Sequence, residues 1–284
     1  MFSRQRELPF GRMLQNHALN NRVNSEFQKY FPNSEFIPIL RSLETNRYWV
    51  NENLLKVKMK KITFNIAKSI IEIIDNYMLV KKESFEKFIK DCIKIQKIEK
   101  ANTIKAQQFV NELIQPNVDA RLFEIVSFSI LKSFYRNQKI YWGFEKTKIK
   151  EDFLILFKTG RTNANDGGID FVMKPLGRFF QVTESLDVKK YFLDIDKIER
   201  YPITFVIKSE LDEKEILSQL RSNALRKFSV KQVVDKYMNS IEEVINIPCL
   251  MERFKNAVDK GLLNEILKEI IKHSKVEFNY QDEL

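Results

Sequence analysis

The most distinctive stretch of this chain is residues 159–185, TGRTNANDGGIDFVMKPLGRFFQVTES. They hold a polar, glycine-rich turn, an acid at the start of a strand, a Pro-Leu-Gly reversal and a second strand. The whole chain has only seven glycines and four of them lie in this stretch, which indicates sharp turns of the backbone here. The pattern predicts a β-hairpin, and we expect the rest of the chain to be arranged around it.

The composition is that of a globular protein with an excess of positive charge. Of the 284 residues, 44% are hydrophobic and 30% are charged, which excludes a disordered chain. The length suits one substantial core with a helical appendage better than a string of modules. The net charge of +10 favours a polyanionic partner such as nucleic acid, although a protein rich in lysine and isoleucine can reach this charge without one.

Several classes of site and location are disfavoured. Cys92 and Cys249 lie far apart without a zinc-ligand spacing, so both are expected to be buried free thiols. His17 and His273 are the only histidines, which leaves little for a catalytic triad or a histidine-rich metal site. The first residues lack a signal-peptide pattern and no later run could span a bilayer, so we expect a cytoplasmic protein without a membrane partner.

Hydrophobic periodicity divides the chain into three parts. Residues 1–116 are expected to form a mainly helical region for DNA recognition or dimerisation, and the apolar spacing over residues 51–79 predicts two helices or one broken helix. Residues 117–226 alternate helices and strands, which predicts an α/β core with a mixed sheet flanked by helices. Residues 227–284 return to helical spacing and are expected to form a helical C-terminal region.

The predicted core begins with a helix that Asn117 or Asp119 can cap. Glu124 lies beside the apolar stripe of this helix, so its carboxylate is either at the edge of the buried face or in a site. The elements that follow are predicted as a strand, the two hairpin strands, a helix, a strand and a helix, over residues 152–157, 168–174, 179–184, 187–200, 202–207 and 212–226.

The hairpin carries oxygen atoms suited to a metal ion. Strand alternation places Asp170 on the face opposite Phe171, and across the hairpin from Gln181. The backbone carbonyl of Val182 lies next to Gln181. Because Mg²⁺ prefers carboxylates and other hard oxygen ligands, Asp170, Gln181 and Val182 predict a Mg²⁺ site. Such an ion over a phosphodiester would polarise the phosphoryl oxygen and activate a water molecule.

The sequence FE on a helix, the run DGGID, a short hairpin and a strand carrying Gln181 together resemble the PD-(D/E)XK nuclease superfamily, in particular Mrr-like endonucleases and type II restriction enzymes. The phrase DGGIDFVMKPLGRFFQVTE is also similar to restriction endonucleases of the HaeII group. The resemblance covers residues 119–207. It implies that Glu124 is the first-helix glutamate and a further metal ligand, Asp170 the metal-binding aspartate, and Gln181 the acidic or amide position of the last motif.

This sequence departs from the superfamily's pattern at one position. Two residues after Gln181 the superfamily carries a lysine that positions or deprotonates the attacking water, and this chain has Thr183, whose hydroxyl supplies no positive charge. Either another cation takes over, or activation relies on the metal alone, or the chemistry has been lost. The candidate cations are Lys174 in first place, then Lys189 or Lys190 from the following helix, or Arg178 from the turn.

Polar and basic side chains around the hairpin are candidates for DNA contacts. They could touch the phosphate backbone or base edges, and they could equally form hydrogen bonds within their own turn. The candidates are Arg161, Asn163, Asn165 and Arg178.

The resemblance and the positive charge together imply a Mg²⁺-dependent type II restriction endonuclease that cuts double-stranded DNA at a short site. A palindromic site implies a homodimer, and protection of host DNA implies a cognate DNA methyltransferase. Three alternatives remain open: an Mrr-like nuclease that cuts only modified or damaged DNA, a DNA-binding protein that kept the nuclease fold without its chemistry, and a helical interaction protein in which the GGID run is chance.

Overall fold

The structure is a computed structural model that describes residues 23–25, 27–30, 32, 34–41, 48–98, 102–160, 169–228 and 230–278. The chain divides into two compact units, Met1–Lys90 with Gln281–Leu284, and Asp91–Tyr280. The boundary therefore falls at residue 90, whereas periodicity predicts one at residue 116. Within the described ranges, no helix is both long enough and apolar enough to cross a membrane.

Short strands precede a long helix in the first unit. These elements are a 3₁₀ helix (Ser34–Phe36), β1 (Ile39–Arg41), β2 (Tyr48–Val50), a 3₁₀ helix (Glu52–Lys56), β3 (Val57–Met59), β4 (Ile62–Phe64) and α1 (Ile66–Ile98), which runs on past Lys90. Strand β1 pairs with β2, and β3 with β4, both antiparallel. The helices predicted from the spacing over residues 51–79 are wrong for residues 57–64, which form β3 and β4. Lys60 adopts a left-handed backbone (φ 58°) in the tight turn between these strands, and a helix cannot continue through it.

Helices and strands alternate in the second unit. They are α2 (Thr103–Glu112), α3 (Ala120–Tyr135), β5 (Lys139–Trp142), β6 (Lys150–Phe153), β7 (Ile155–Lys158), β8 (Phe171–Lys174), β9 (Arg178–Thr183), α4 (Val188–Lys197), β10 (Ile203–Ile207), α5 (Glu213–Lys227), α6 (Lys231–Asn239), β11 (Ile241–Ile245), α7 (Ile247–Asp259) and α8 (Leu263–Glu277). Helix α3 begins where the sequence predicts, because the Asp119 side chain accepts a hydrogen bond from the Arg121 N–H at 3.0 Å.

Five strands form one mixed sheet in the order β11-β10-β9-β8-β7, and β5 and β6 form a separate two-stranded sheet. Strands β7, β8 and β9 are antiparallel neighbours, whereas β9, β10 and β11 run parallel. Helix α4 connects β9 to β10, and α5 with α6 connects β10 to β11, as parallel neighbours require. The predicted α/β class with a mixed sheet is confirmed.

The hairpin predicted from the glycine-rich stretch is formed by β8 and β9. Its register pairs Phe171 with Phe180 and Met173 with Arg178. Gly177 closes the turn with φ 67°, a backbone conformation that a side chain would strain, and its N–H donates to the Met173 carbonyl at 2.9 Å.

The C-terminal part is not wholly helical, contrary to the prediction for residues 227–284. Strand β11 extends the sheet beside β10. Its sequence IEEVI does not predict a strand, because Glu242 and Glu243 interrupt the apolar pattern. Glu243 forms ion pairs with Arg178 and Arg253, so its carboxylate is neutralised within the fold rather than solvated.

Apolar layers cover the sheet on both sides. On one side α3 packs against the hairpin, with the Phe128 and Phe171 rings 5.2 Å apart. On the other side α4, α5 and β10 share an apolar cluster that includes Tyr191, Phe205 and Leu220. The hairpin is therefore held by burial of its aromatic side chains as well as by strand pairing.

Replacing Phe171 with alanine should lower the free energy of unfolding by about 3–5 kcal/mol, because Phe171 is fully buried against Phe128 and Phe180. Urea denaturation of the full chain measures this change. The matched control is Val172→Ala, which alters the neighbouring, half-buried position of the same strand. An effect of Phe171→Ala no larger than that of the control would contradict the packing described.

Candidate functional site

The polar and charged side chains of the candidate site lie at one end of the five-stranded sheet. At this end β7 ends, β8 begins, and β9 and β10 end. The Thr159 N–H donates to the Asp170 carbonyl at 3.0 Å, and the Asp170 N–H donates to the Phe180 carbonyl at 2.9 Å. The Lys208 N–H, just after β10, donates to the Thr183 carbonyl at 2.9 Å. Backbone hydrogen bonds therefore tie four consecutive strand ends together around Asp170.

The carboxylate of Asp170 is fixed by the neighbouring strand. The register that pairs Phe171 with Phe180 sets Asp170 across from Gln181, as alternation predicts. The Val182 N–H donates to Asp170 Oδ2 at 2.6 Å. A hydrogen bond from a backbone amide to a carboxylate is stronger than one between neutral groups, so it holds the aspartate beside the end of β9.

The side-chain oxygen of Gln181 accepts no hydrogen bond from the described residues. Its side chain is only 8% exposed, and its Nε2 donates weakly to the Val182 carbonyl at 3.3 Å. Its Oε1 is buried and accepts no hydrogen bond within the part of the chain that the structure describes. A buried acceptor left unpaired is destabilising by about 1–3 kcal/mol, which a ligand supplying positive charge would offset.

A metal ion fits part of the predicted ligand set. Asp170, the unpaired Gln181 oxygen and the Val182 carbonyl are hard oxygen donors on adjacent strand ends. Among the described residues no three His, Cys, Asp or Glu side chains are grouped to hold a metal, so such a site would rely on amide and backbone oxygens. The two cysteines are free, with Cys92 buried and Cys249 half-buried.

Glu124 has a partner that the sequence did not reveal. Its Oε1 lies 2.6 Å from Lys158 Nζ, and the two side chains are only 7% and 8% exposed. Lys158 ends β7 opposite Phe171, which places this buried ion pair at the same end of the sheet as Asp170. The only sequence signal for Lys158 was its position directly after the apolar run DFLILF.

Removing one partner of this ion pair should be strongly destabilising. Lys158→Met removes the ammonium that faces the buried Glu124 carboxylate, so we expect a loss of about 3–5 kcal/mol in urea denaturation. The double variant Lys158→Met/Glu124→Leu removes both charges and should lose less. Lys148→Met serves as control because Lys148 pairs with Glu145 on the exposed surface. Equal stability of Lys158→Met and the control variant would contradict the buried pair.

The ammonium group of Lys190 lies beside Thr183. Its Nζ donates to Thr183 Oγ1 at 3.5 Å. It reaches this point from the first turn of α4, which Asp187 caps by accepting from the Lys189 N–H at 3.0 Å. Of the alternatives left open by the sequence, the structure therefore brings Lys190 next to Thr183.

Lys174 does not join the site, although the sequence favours it as the first candidate. It pairs with Ile155 at the turn end of the hairpin. Four residues along a strand separate it from Asp170, which is about 13 Å. Its ammonium lies over the Phe157 ring, 5.1 Å from the centroid. The prediction failed because strand alternation fixes the face of a residue and not its height along the strand.

Arg178 is also placed away from Asp170, because it pairs with Met173 at the turn end of the hairpin. Its side chain is 18% exposed and its Nε lies 3.2 Å from a carboxylate oxygen of Glu242. It also donates to Thr204 and pairs with Glu243. The sequence could not show this, because the acids belong to β11, far along the chain. Three other candidates, Arg161, Asn163 and Asn165, lie outside the described residues.

Lys208 is a second lysine that the sequence did not single out. Its Nζ donates to the Val118 carbonyl at 2.7 Å and pairs with Glu184. Burial lowers the pKa of Lys208, and the nearby Asp119 carboxylate opposes this shift. The lysine therefore links the start of α3 to the end of the β8–β9 hairpin. Its signal in the sequence was a lysine directly after the buried strand ITFVI.

Charged side chains of both signs lie at this end of the sheet. The acids are Glu124, Asp170 and Glu184, and the bases are Lys158, Lys190 and Lys208. The arrangement can present carboxylate and amide oxygens to a cation and ammonium groups to an anion. No protein-family model, curated protein or solved structure matches this chain. The function therefore has to be argued from this geometry.

Proposed function

We propose that the chain is a Mg²⁺-dependent endodeoxyribonuclease that hydrolyses phosphodiester bonds in double-stranded DNA. The observation that carries the proposal is the contact of Asp170 Oδ2 with the Val182 N–H beside the unpaired Oε1 of Gln181. This pairing sets an acid, an amide oxygen and a backbone carbonyl at one point, which suits a hard divalent cation.

The order of elements supports a fold of the PD-(D/E)XK type. Helix α3, the antiparallel strands β7, β8 and β9, helix α4 and the parallel strand β10 follow one another along the chain. Glu124 on α3, Asp170 and Gln181 lie at the same end of the sheet, which supports the resemblance without testing it.

The residues divide into groups with separate roles. Asp170, Gln181 and the Val182 carbonyl would hold Mg²⁺, whereas Glu124, the further ligand that the resemblance implies, pairs with Lys158. When bound, the ion would stabilise negative charge on the phosphoryl group and lower the pKa of a coordinated water. The ammonium of Lys190 beside Thr183 would hold the attacking water or the phosphate oxygen near that ion.

A type II restriction endonuclease is the member of this class that we favour. Cutting at a short palindromic site would require a homodimer that presents two equal surfaces to the DNA, and a cognate DNA methyltransferase would protect host DNA. An Mrr-like nuclease that acts on modified DNA uses the same site chemistry, so the substrate separates the two.

A second candidate is a DNA-binding protein with this fold and without catalysis. The observation that favours it is the buried ion pair of Glu124 with Lys158, which neutralises a carboxylate that a metal site would use. Thr183 in place of the motif lysine points the same way. Such a protein would bind DNA without a requirement for divalent metal.

Incubation of the purified full chain with methylated and unmethylated phage DNA tests these proposals, with Mg²⁺, with Mn²⁺ and with a chelator. Discrete fragments from unmethylated DNA support the restriction endonuclease, and fragments from methylated DNA alone support the Mrr-like enzyme. Absence of cleavage of either DNA with every divalent metal would contradict the enzyme and leave the DNA-binding protein.

A further inference from the structure

The hairpin of β5 and β6, residues 139–153, exposes aromatic side chains to solvent. Its two strands pair only with each other in a sheet of their own. Phe144 at its tip is 98% exposed, and Tyr141 on β5 is 68% exposed. An isolated two-stranded hairpin is marginally stable in water, and large exposed aromatic groups add an unfavourable hydration term. This hairpin is here called the β5–β6 ribbon. Its exposed aromatic side chains indicate a surface that binds a partner.

The tip of the β5–β6 ribbon is also basic. Residues 143–150 contain three lysines and one glutamate. Lys148 pairs with Glu145 at 2.8 Å, whereas Lys146 and Lys150 are exposed and form no ion pair within the described part of the chain. Exposed lysines around an exposed aromatic ring complement a polyanion that has flat apolar faces, and they disfavour a second copy of the same basic surface.

The shape of the tip is held by close contacts. A Cβ atom added to Gly143 would collide with the Lys148 carbonyl, so glycine allows the two sides of the loop to touch. The Phe144 ring packs edge-on against Trp142, with 5.9 Å between centroids. The aromatic side chain is therefore presented on a fixed turn, which lowers the entropy that binding would remove.

We infer that the β5–β6 ribbon is a second DNA contact, in which Phe144 packs against bases and Lys146 and Lys150 contact phosphates beyond the cleaved step. This inference rests on the proposed function. A two-stranded ribbon can enter a groove of B-DNA, and from the minor groove a phenylalanine can wedge between base steps. Lys150 stands eight positions before Lys158 in the sequence, so the base of the ribbon lies within about 28 Å of the site. One turn of duplex spans about 34 Å, which is long enough to touch both.

The test uses the full chain carrying Asp170→Asn, so that binding is measured without cleavage. A labelled random-sequence duplex pool of about three helical turns, ~30 base pairs, is titrated by fluorescence anisotropy at salt concentrations from ~50 to ~200 mM. Phe144→Ala should raise Kd about tenfold, because the ring can no longer stack on a base. Lys146→Ala/Lys150→Ala should weaken binding and reduce the salt slope by about 2, since each lysine neutralises one phosphate. Leu176→Ala, which removes an exposed apolar side chain from the other hairpin, should bind like the parent.

The outcomes separate this inference from the proposed function. If the parent protein binds duplex DNA and both ribbon variants match it in Kd and salt slope, the ribbon is not a DNA contact, while the nuclease proposal stands. If the variants instead change the oligomeric state in light scattering and leave DNA affinity alone, the surface is a protein interface and the inference is wrong. If the parent does not bind DNA, the proposed function itself fails.

Discussion

Asp170→Asn is expected to reduce DNA cleavage by on the order of 10³-fold while leaving DNA binding intact. The carboxylate supplies negative charge for the proposed metal site, and an amide oxygen replaces it without that charge. Because asparagine keeps an oxygen that can accept from the Val182 N–H, the end of β9 should remain in place. Single-turnover cleavage with Mg²⁺ and anisotropy-based DNA binding measure the two effects separately.

The control for this prediction is Asp259→Asn, which neutralises an exposed acid at the end of α7. It should cleave at the parent rate. Retained cleavage by Asp170→Asn, or equal losses in both variants, would show that Asp170 has no special role in the reaction.

Lys190→Ala is expected to lower the cleavage rate by on the order of 10²-fold with little change in DNA affinity. The reason is the location of its ammonium at Thr183 Oγ1, 3.5 Å away, where the resemblance implies a lysine. Lys189→Ala alters the adjacent residue of the same helix turn, and Lys174→Ala alters the exposed lysine at the far end of β8. Both of these variants should cleave close to the parent rate.

A rescue experiment makes the Lys190 prediction specific. Thr183→Lys in the Lys190→Ala background restores an ammonium near the same point, and we expect it to recover part of the activity. Equal rates for Lys190→Ala and Lys189→Ala would contradict a role for this cation. A Lys174→Ala variant that cleaves more slowly than Lys190→Ala would favour the lysine that the sequence alone places first.

The parts of the fold that follow local rules could be predicted from the sequence. Glycine placement and alternation located the β8–β9 hairpin, and the cap at Asp119 located the start of α3. The pairing of Asp170 with Gln181 followed from strand register, because a hairpin with a short turn fixes which residues lie opposite each other.

Features that depend on distant partners could not be predicted in this way. The strand β11 contains two glutamates that only its ion pairs with Arg178 and Arg253 make compatible with a sheet. The same pairs hold the Arg178 side chain against β10 and β11, which its position in the turn did not predict. The partner of Glu124 is Lys158, and no periodicity connects a helix residue to the end of a strand beyond an intervening hairpin. Lys190 is one of several equivalent lysines until the path of α4 is known.

The distinction between an active nuclease and an inactive descendant depends on the charge balance at the sheet end. Lys158 pairs with the buried Glu124 and Lys208 pairs with the exposed Glu184, so the site carries compensating charges in addition to those proposed to bind a metal. A divalent cation adds two positive charges there. It binds only if Asp170, Gln181 and Val182 hold it more strongly than the lysines repel it.

Titration of Mn²⁺ into the full chain without DNA, followed by isothermal calorimetry, tests this balance most directly. We expect the parent protein to bind the metal, Asp170→Asn to bind at least ~10-fold more weakly, and Asp259→Asn to match the parent. The absence of binding by the parent, or equal affinity of the parent and Asp170→Asn, would contradict a metal site at the β8–β9 hairpin.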